Sequence, residues 1–267
     1  MSLILDALQF GFFQRALMVG FLLAIIYALL GNFVVLREEA IIGHTMANIV
    51  FMGIALGLLL SWDSFWIMIL AALAGVLFID YLQRSSRFSR DSILALTSQI
   101  SIAAGIIILS QVEGYQNVEG FLFGNILAVS SSDLWMSLAL FLINIVGLFL
   151  VRKQLTQLVI NKDLAISAGT NVERMNFIFM LLLALTVAAG IKIIGVILLA
   201  AFLVIPANIA KNIASSFRQM VLLSIIVSVI GVFAGLFLSY YFDTPSGAMI
   251  VLVLGVMLIV TNLFRRR

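Results

Sequence analysis

Long uncharged apolar runs, separated only by short charged joints, leave this sequence few folds to choose from. The run from Ala16 to Leu36 is already about as long as the roughly 20 residues that one membrane-spanning helix needs. It lacks a small-residue cleavage site, so it reads as a retained helix and not as a signal peptide. Spans are expected near 15–36, 41–60, 65–82, 92–112, 133–151, 175–191, 194–213, 218–241 and 247–264. In lipid, only helices and closed barrels satisfy every backbone N–H and C=O. These runs are too long and too uniformly apolar for alternating barrel strands. The expected fold class is therefore all-α, a polytopic transmembrane helical bundle of about 8–9 spans, with residues 1–267 forming a single transmembrane domain.

Composition agrees. The chain is 64% hydrophobic and 10% charged, whereas soluble domains carry roughly 25% charge. Its partner is thus the lipid bilayer, and a net charge of +3 is no nucleic-acid signal. The absence of cysteine excludes disulfides, thiolate metal sites and cysteine catalysis. Basic residues fall in alternate joints: Arg37; Arg84, Arg87 and Arg90; Arg152, Lys153, Lys162 and Arg174; Lys211 and Arg218; and Arg265 to Arg267. Arg15 and Lys192 fall on the other side, among Asp6, Asp63, Glu113, Glu119 and Asp243. Because Lys/Arg-rich joints stay cytoplasmic, nine spans with the N-terminus outside and the C-terminus inside are expected. The stretch 175–213 also admits one span plus a half-helix around Lys192, giving eight.

Two joints are longer than connection requires. The outer one, Glu113 to Asp133, carries an apolar piece, Phe121–Val129, too short to span, with Gly120 and Gly124 easing a tight bend. The inner one, Arg152 to Arg174, contains LVINKDLAISAGTNVER. There Asp163 can cap a short cytoplasmic helix, and Gly169 suits the left-handed position that ends one. Such a helix is a docking surface more often than a catalytic one. Small residues at four-residue spacing (Gly53 and Gly57, Ala71 and Gly75, Gly231 and Gly235) open faces for close helix approach, chiefly within the bundle.

The one histidine, His44, stands four residues before Asn48 in IIGHTMANIV, so both lie on one helix face. Imidazole is a good ligand for late transition metals, and an amide oxygen is a weaker, harder one. One chain supplies too few ligands to close a site; two copies about an axis supply two imidazoles and two amides. A histidine hydrogen-bonded to a neighbouring helix is the alternative. Thr97, Ser98, Gln99 and Ser101 open another span, either lining a hydrated path or joining helices. Pro206, with Asn208 beside it, marks an expected kink, and Asp80 with Arg84 an i, i+4 ion pair. No GxxxxGK[ST], HExxH or GxSxG motif is present, so neither P-loop ATP binding nor an intramembrane enzyme is expected. Transport or conduction remains, and the residues by themselves do not choose between them.

Four segments in order, VVLREEAIIGHTMANIVFMGIALG, FGNILAVSSSDL, KDLAISAGTNVERMNFIFMLLLALTVAAGIKIIGVILLAAFLVIPANIAKN and FDTPSGAMIVLV, resemble the membrane permeases of ABC importers for manganese, zinc and iron(II), the ABC-3 family. The resemblance covers roughly residues 15 to 264. It implies a homodimer of permeases, a cytoplasmic ABC ATPase subunit, an extracytoplasmic metal-binding protein, and a transported divalent metal rather than a bound cofactor. It makes KDLAISAG the coupling helix, with Asp163, Leu164, Ala165 and Gly169 meeting the ATPase. The family's usual metal-contacting pair is an aspartate and a histidine in a pattern like GDxxSH. Aligned through Gly43, the aspartate position holds His44, the serine position Ala47 and the histidine position Asn48. Two negative charges are thereby lost per pair of chains, so a divalent cation should be held less tightly. An ion-coupled secondary transporter or channel, a divergent permease with a non-metal substrate and a degenerate permease serving as a membrane scaffold are the competing readings. The first of these lacks the intramembrane carboxylates that ion coupling uses.

Overall fold

The computed structural model describes residues 9–62, 64–112, 124, 126 and 129–265. Among the described residues ten helices follow one another: α1 Gly11–Leu36, α2 Ala40–Leu59, α3 Ser64–Ser85, α4 Arg90–Leu109, α5 Ser131–Ile160, α6 Lys162–Ser167, α7 Val172–Ile194, α8 Val196–Ile213, α9 Phe217–Phe242 and α10 Ser246–Arg265. Among the described residues eight helices are long and apolar enough to cross a membrane, and the apolar part of α8, Leu199–Ile213, is shorter. The stretch 175–213 is therefore two helices, broken at Gly195, whose φ of 91° and ψ of 156° suit glycine alone. Packing partners give their directions. Phe179 and Thr186 of α7 meet Phe33 and Tyr27 of α1 in antiparallel order. Phe202 of α8 meets Tyr27, while Ala207 sits further along α1 near Gly31, in parallel order. The chain turns back at Gly195.

The bundle is apolar outside as well as inside, because its solvent is hydrocarbon. Leu70, Ile107, Leu150 and Leu252 project outward, while Asn32, Asn48, Asn144 and Thr186 are buried. Those buried polar groups bind helices together. Asn32 Nδ2 donates to Ser224 Oγ at 2.7 Å, fastening α1 to α9. Thr186 Oγ1 donates to Asn144 Oδ1 at 3.0 Å, fastening α7 to α5. Trp62, Trp66 and Trp135 are exposed at the end of the bundle opposite Arg37, Arg84, Arg90 and Arg152, where amphipathic rings suit the lipid headgroups.

Small residues set the closest approaches. A Cβ on Gly31 would come within 2.1 Å of the Leu203 carbonyl oxygen, so α1 and α8 touch backbone to backbone there. The expected small-residue pairs are spent inside the chain: Gly53 against Ala71, Gly75 against Ile49, Gly235 against the Ile250 backbone. Pro206 lies within α8, whose helix continues to Ile213, and Asn208 Nδ2 donates to the Val204 carbonyl at 3.0 Å.

Two expectations need correcting at the inner joint. The span expected to end at residue 151 continues as helix to Ile160, because Arg152, Lys153, Gln154 and Leu155 are good helix formers even beyond the lipid. Asp163 is not the cap of the short helix. Asn161 is: its Oδ1 accepts from the backbone N–H groups of Asp163 and Leu164 at 2.9 and 3.1 Å. Asp163 instead occupies the first turn, where its charge favours the helix dipole. Of the outer joint, Gly120 and most of 121–129 lie outside the described residues, while Gly124 adopts φ 67°.

Candidate functional site

α2 runs through the middle of one half of the bundle, with α3, α4, α7 and α8 packed around it. Its buried sides carry Ile42, Met46, Val50 and Ile54. His44 is exposed, one turn from the start of the helix, and Asn48, one turn further on, is buried. The two side chains meet, with Asn48 Nδ2 at 3.3 Å from His44 Nε2. That amide also donates to Ser98 Oγ of α4 at 2.7 Å. Which of the two groups donates depends on the imidazole tautomer. Asn48 Oδ1 is buried and finds no partner. Half a turn of the amide would place that oxygen against the Ser98 hydroxyl and His44 Nε2. Thr45 is fixed separately, donating to the Ile41 and Leu94 carbonyls at 3.0 Å each.

Beyond this pair, α3 and α4 splay apart over α2 and leave a groove of about 480 Å³. Met52 and Leu56 form part of its floor, and Thr97 and Ser101 supply its polar groups. Thr97 Oγ1 is buried without a hydrogen-bond partner. Of the four polar residues singled out in this helix, Thr97, Ser98 and Ser101 turn inward and Gln99 turns out. Among the described residues, no three His, Cys, Asp or Glu side chains gather where they could hold a metal ion.

The second site is α6 and its surroundings. The helix ends in a paired C-terminal cap: Gly169 N–H donates to the Ile166 carbonyl at 2.9 Å and Thr170 N–H to the Ala165 carbonyl at 3.0 Å. Gly169 takes φ 84° with open space where a Cβ would stand. Ala165 is buried, pinning the helix to the bundle, while Leu164 and Ile166 point away, 66% and 51% exposed.

Beside α6 lies a charged cluster in which Arg37, Arg90 and Lys162, marked by the sequence only as topology signals, surround Glu39, which it does not single out. Glu39 pairs with Arg37 at 3.0 Å and with Arg90 at the start of α4. Arg37 also donates to Asn176 of α7, and its guanidinium sits 5.0 Å from the centre of the Phe179 ring. Burial pulls the Arg37 guanidinium below its ordinary range, and Arg90 adds to this while Glu39 opposes it. With Lys162 these residues line a cavity of about 240 Å³. The available signal was an acidic pair following Arg37 in a joint otherwise basic, which asks for a cation from another joint. Arg84 similarly bridges Asp80 at 3.0 Å and Glu173 at 3.2 Å, tying α3 to α7.

Comparison with known proteins places these features in context. The ABC 3 transport family matches residues 9–265. The manganese transport system membrane protein MntC of Listeria innocua is 30% identical over 259 residues, covering 96% of this chain and 92% of that protein. The high-affinity zinc uptake system membrane protein ZnuB of Haemophilus influenzae is 30% identical over 253 residues, covering 94% of this chain and 96% of that one. Among solved structures, PsaBC from Streptococcus pneumoniae in complex with Fab superposes with a TM-score of 0.87 at 28% identity, covering 97% of this chain and 94% of that chain.

Proposed function

Since the chain belongs to the ABC 3 transport family, a family of multi-pass membrane permeases and not of enzymes, we propose that it is the membrane subunit of an ABC importer for a divalent transition metal. Manganese or zinc is the expected cargo, with iron(II) as the third candidate. Two copies pair so that their α2 helices face a shared path, each contributing His44 and Asn48. A cytoplasmic ATPase subunit seats on α6 through Leu164, Asp163 and the turn at Gly169, with Ala165 anchoring that helix. An extracytoplasmic metal-binding protein delivers the ion to the opposite end.

The observation that carries this reading is the extent of the likeness. Similarity to metal-transport membrane proteins covers 96% and 94% of this chain. The path assignment is supported by His44 being open on α2, as are Ala40 and Ile41 one turn earlier, while Gly43, Thr45, Ala47 and Asn48 are buried. A second reading, a permease of this family with a non-metal substrate, is favoured by one observation: the stripe is neutral and carries no carboxylate. Uptake by the permease reconstituted with its ATPase and binding protein separates the two. ATP-dependent accumulation of manganese or zinc is expected. Accumulation of none of manganese, zinc and iron(II), by a complex whose ATPase is active, would favour the second reading.

A further inference from the structure

On the side of the bundle away from α2, α5 and α9 each pack along α1 but diverge from one another. Between them lies an open groove of about 790 Å³, large enough for a ligand and floored by Leu29 and Phe33 of α1. Its walls are apolar: Phe149 and Leu222 stand 61% and 60% exposed. The mouth is different. Arg152 and Lys153 of α5 and Arg218 of α9 converge there, and none of the described lining residues is acidic. Arg152 rests its guanidinium 4.2 Å from the centre of the Phe149 ring, at the boundary between the apolar wall and the charged rim. The groove over α2 described above has no such charge.

We propose that this groove is a binding site for an anionic phospholipid, with an acyl chain lying between α5 and α9 and the phosphate held by Arg152, Lys153 and Arg218. Charge complementarity selects the occupant. The apolar part of the groove, lined by Leu29, Ile145, Phe149 and Leu222, lies on the outside of the bundle, so a lipid tail can enter it sideways. Its three cations stand at the basic end of the bundle, which the positive-inside rule sets in the leaflet that holds the anionic lipids. A neutral lipid would fill the apolar part but leave the cations without a partner. Occupancy would brace α5, whose extension leads directly into α6. The site rests on the chain being a membrane protein and not on the identity of its cargo.

Native mass spectrometry of the purified full chain tests it with dioleoylphosphatidylglycerol and dioleoylphosphatidylcholine as probes. Wild type should retain the former in preference to the latter. The variant Arg152→Gln, Lys153→Gln, Arg218→Gln should lose that preference, by about fivefold per cation removed. Arg152→Lys with Arg218→Lys, which keeps the charge, should retain it, as should the control Arg84→Gln with Arg87→Gln at the same end of the bundle. A preference unchanged in the triple variant, or lost equally in the control, overturns the proposal. Because the chain has no cysteine, Leu222→Cys can carry a single photo-cross-linker in a bilayer containing both lipids. Cross-linking to phosphatidylglycerol supports the site; cross-linking to a second copy or to the ATPase subunit overturns it.

Discussion

At the level of single residues, His44, Asn48 and Ser98 form the polar contact between α2 and α4. The i, i+4 spacing of the first two was legible because helix geometry alone puts them on one face. Ser98 was legible only as a member of a polar cluster, since which of four neighbours turns inward depends on how α4 packs against α2. With Asn48 Nδ2 held by Ser98 at 2.7 Å, Ser98→Ala should release the amide and leave a buried donor without a partner. The expected loss is about 0.6–2 kcal/mol, the range for interhelical hydrogen bonds in membranes, read as a lower thermal midpoint in detergent. Asn48→Asp should act differently. It restores an anionic oxygen beside the imidazole, in a poorly solvated place where attraction for a cation exceeds its value in water. Metal affinity should rise and release should slow, so that a binding titration shows tighter association while the uptake rate falls. Affinity equal to wild type would remove Asn48 from the path.

Helices and their ends carry the next set of expectations. The short inner helix was legible as a unit, from a polar N-terminal signal and a glycine several residues on. Its cap was not: Asn161 and Asp163 are both good caps, and only the backbone path selects Asn161. Replacing Asn161 by Ala should cost about 1 kcal/mol of local helix stability, seen as faster amide exchange across 162–167. Gly169→Val has open space for its side chain but must adopt φ 84°, a region hostile to β-branched residues. ATPase stimulation by the permease should fall while membrane insertion survives; undiminished stimulation would show that α6 does not need this turn to meet its partner. Packing between α9 and α10 gives a cleaner contrast. A Cβ on Gly235 would stand 2.6 Å from the Ile250 Cα, whereas nothing lies within 4 Å of one on Gly255. Gly235→Ala should therefore destabilise by about 1–3 kcal/mol, and Gly255→Ala should leave the thermal midpoint nearly unchanged.

Over the whole molecule, most of the architecture was readable because lipid is an unforgiving solvent. Apolar length narrows the spans to eight or nine, and the placement of most arginines shows which ends lie together. The contacts that assemble the basic end were less readable. Glu39 joins Arg37 to Arg90 across 51 residues of chain, and no local pattern announces such a pairing. The same holds for the proposed path: His44 stands open on α2 with a single amide beside it, and in the proposed dimer a second copy would supply the remaining donors. Equilibrium titration of the purified permease complex with manganese and zinc, comparing wild type with His44→Ala, tests this most directly. The account predicts one ion for every two permease chains, and a loss of affinity of roughly 10–100-fold or more in the variant. Unchanged affinity in His44→Ala, or one ion bound by each chain independently, would contradict it.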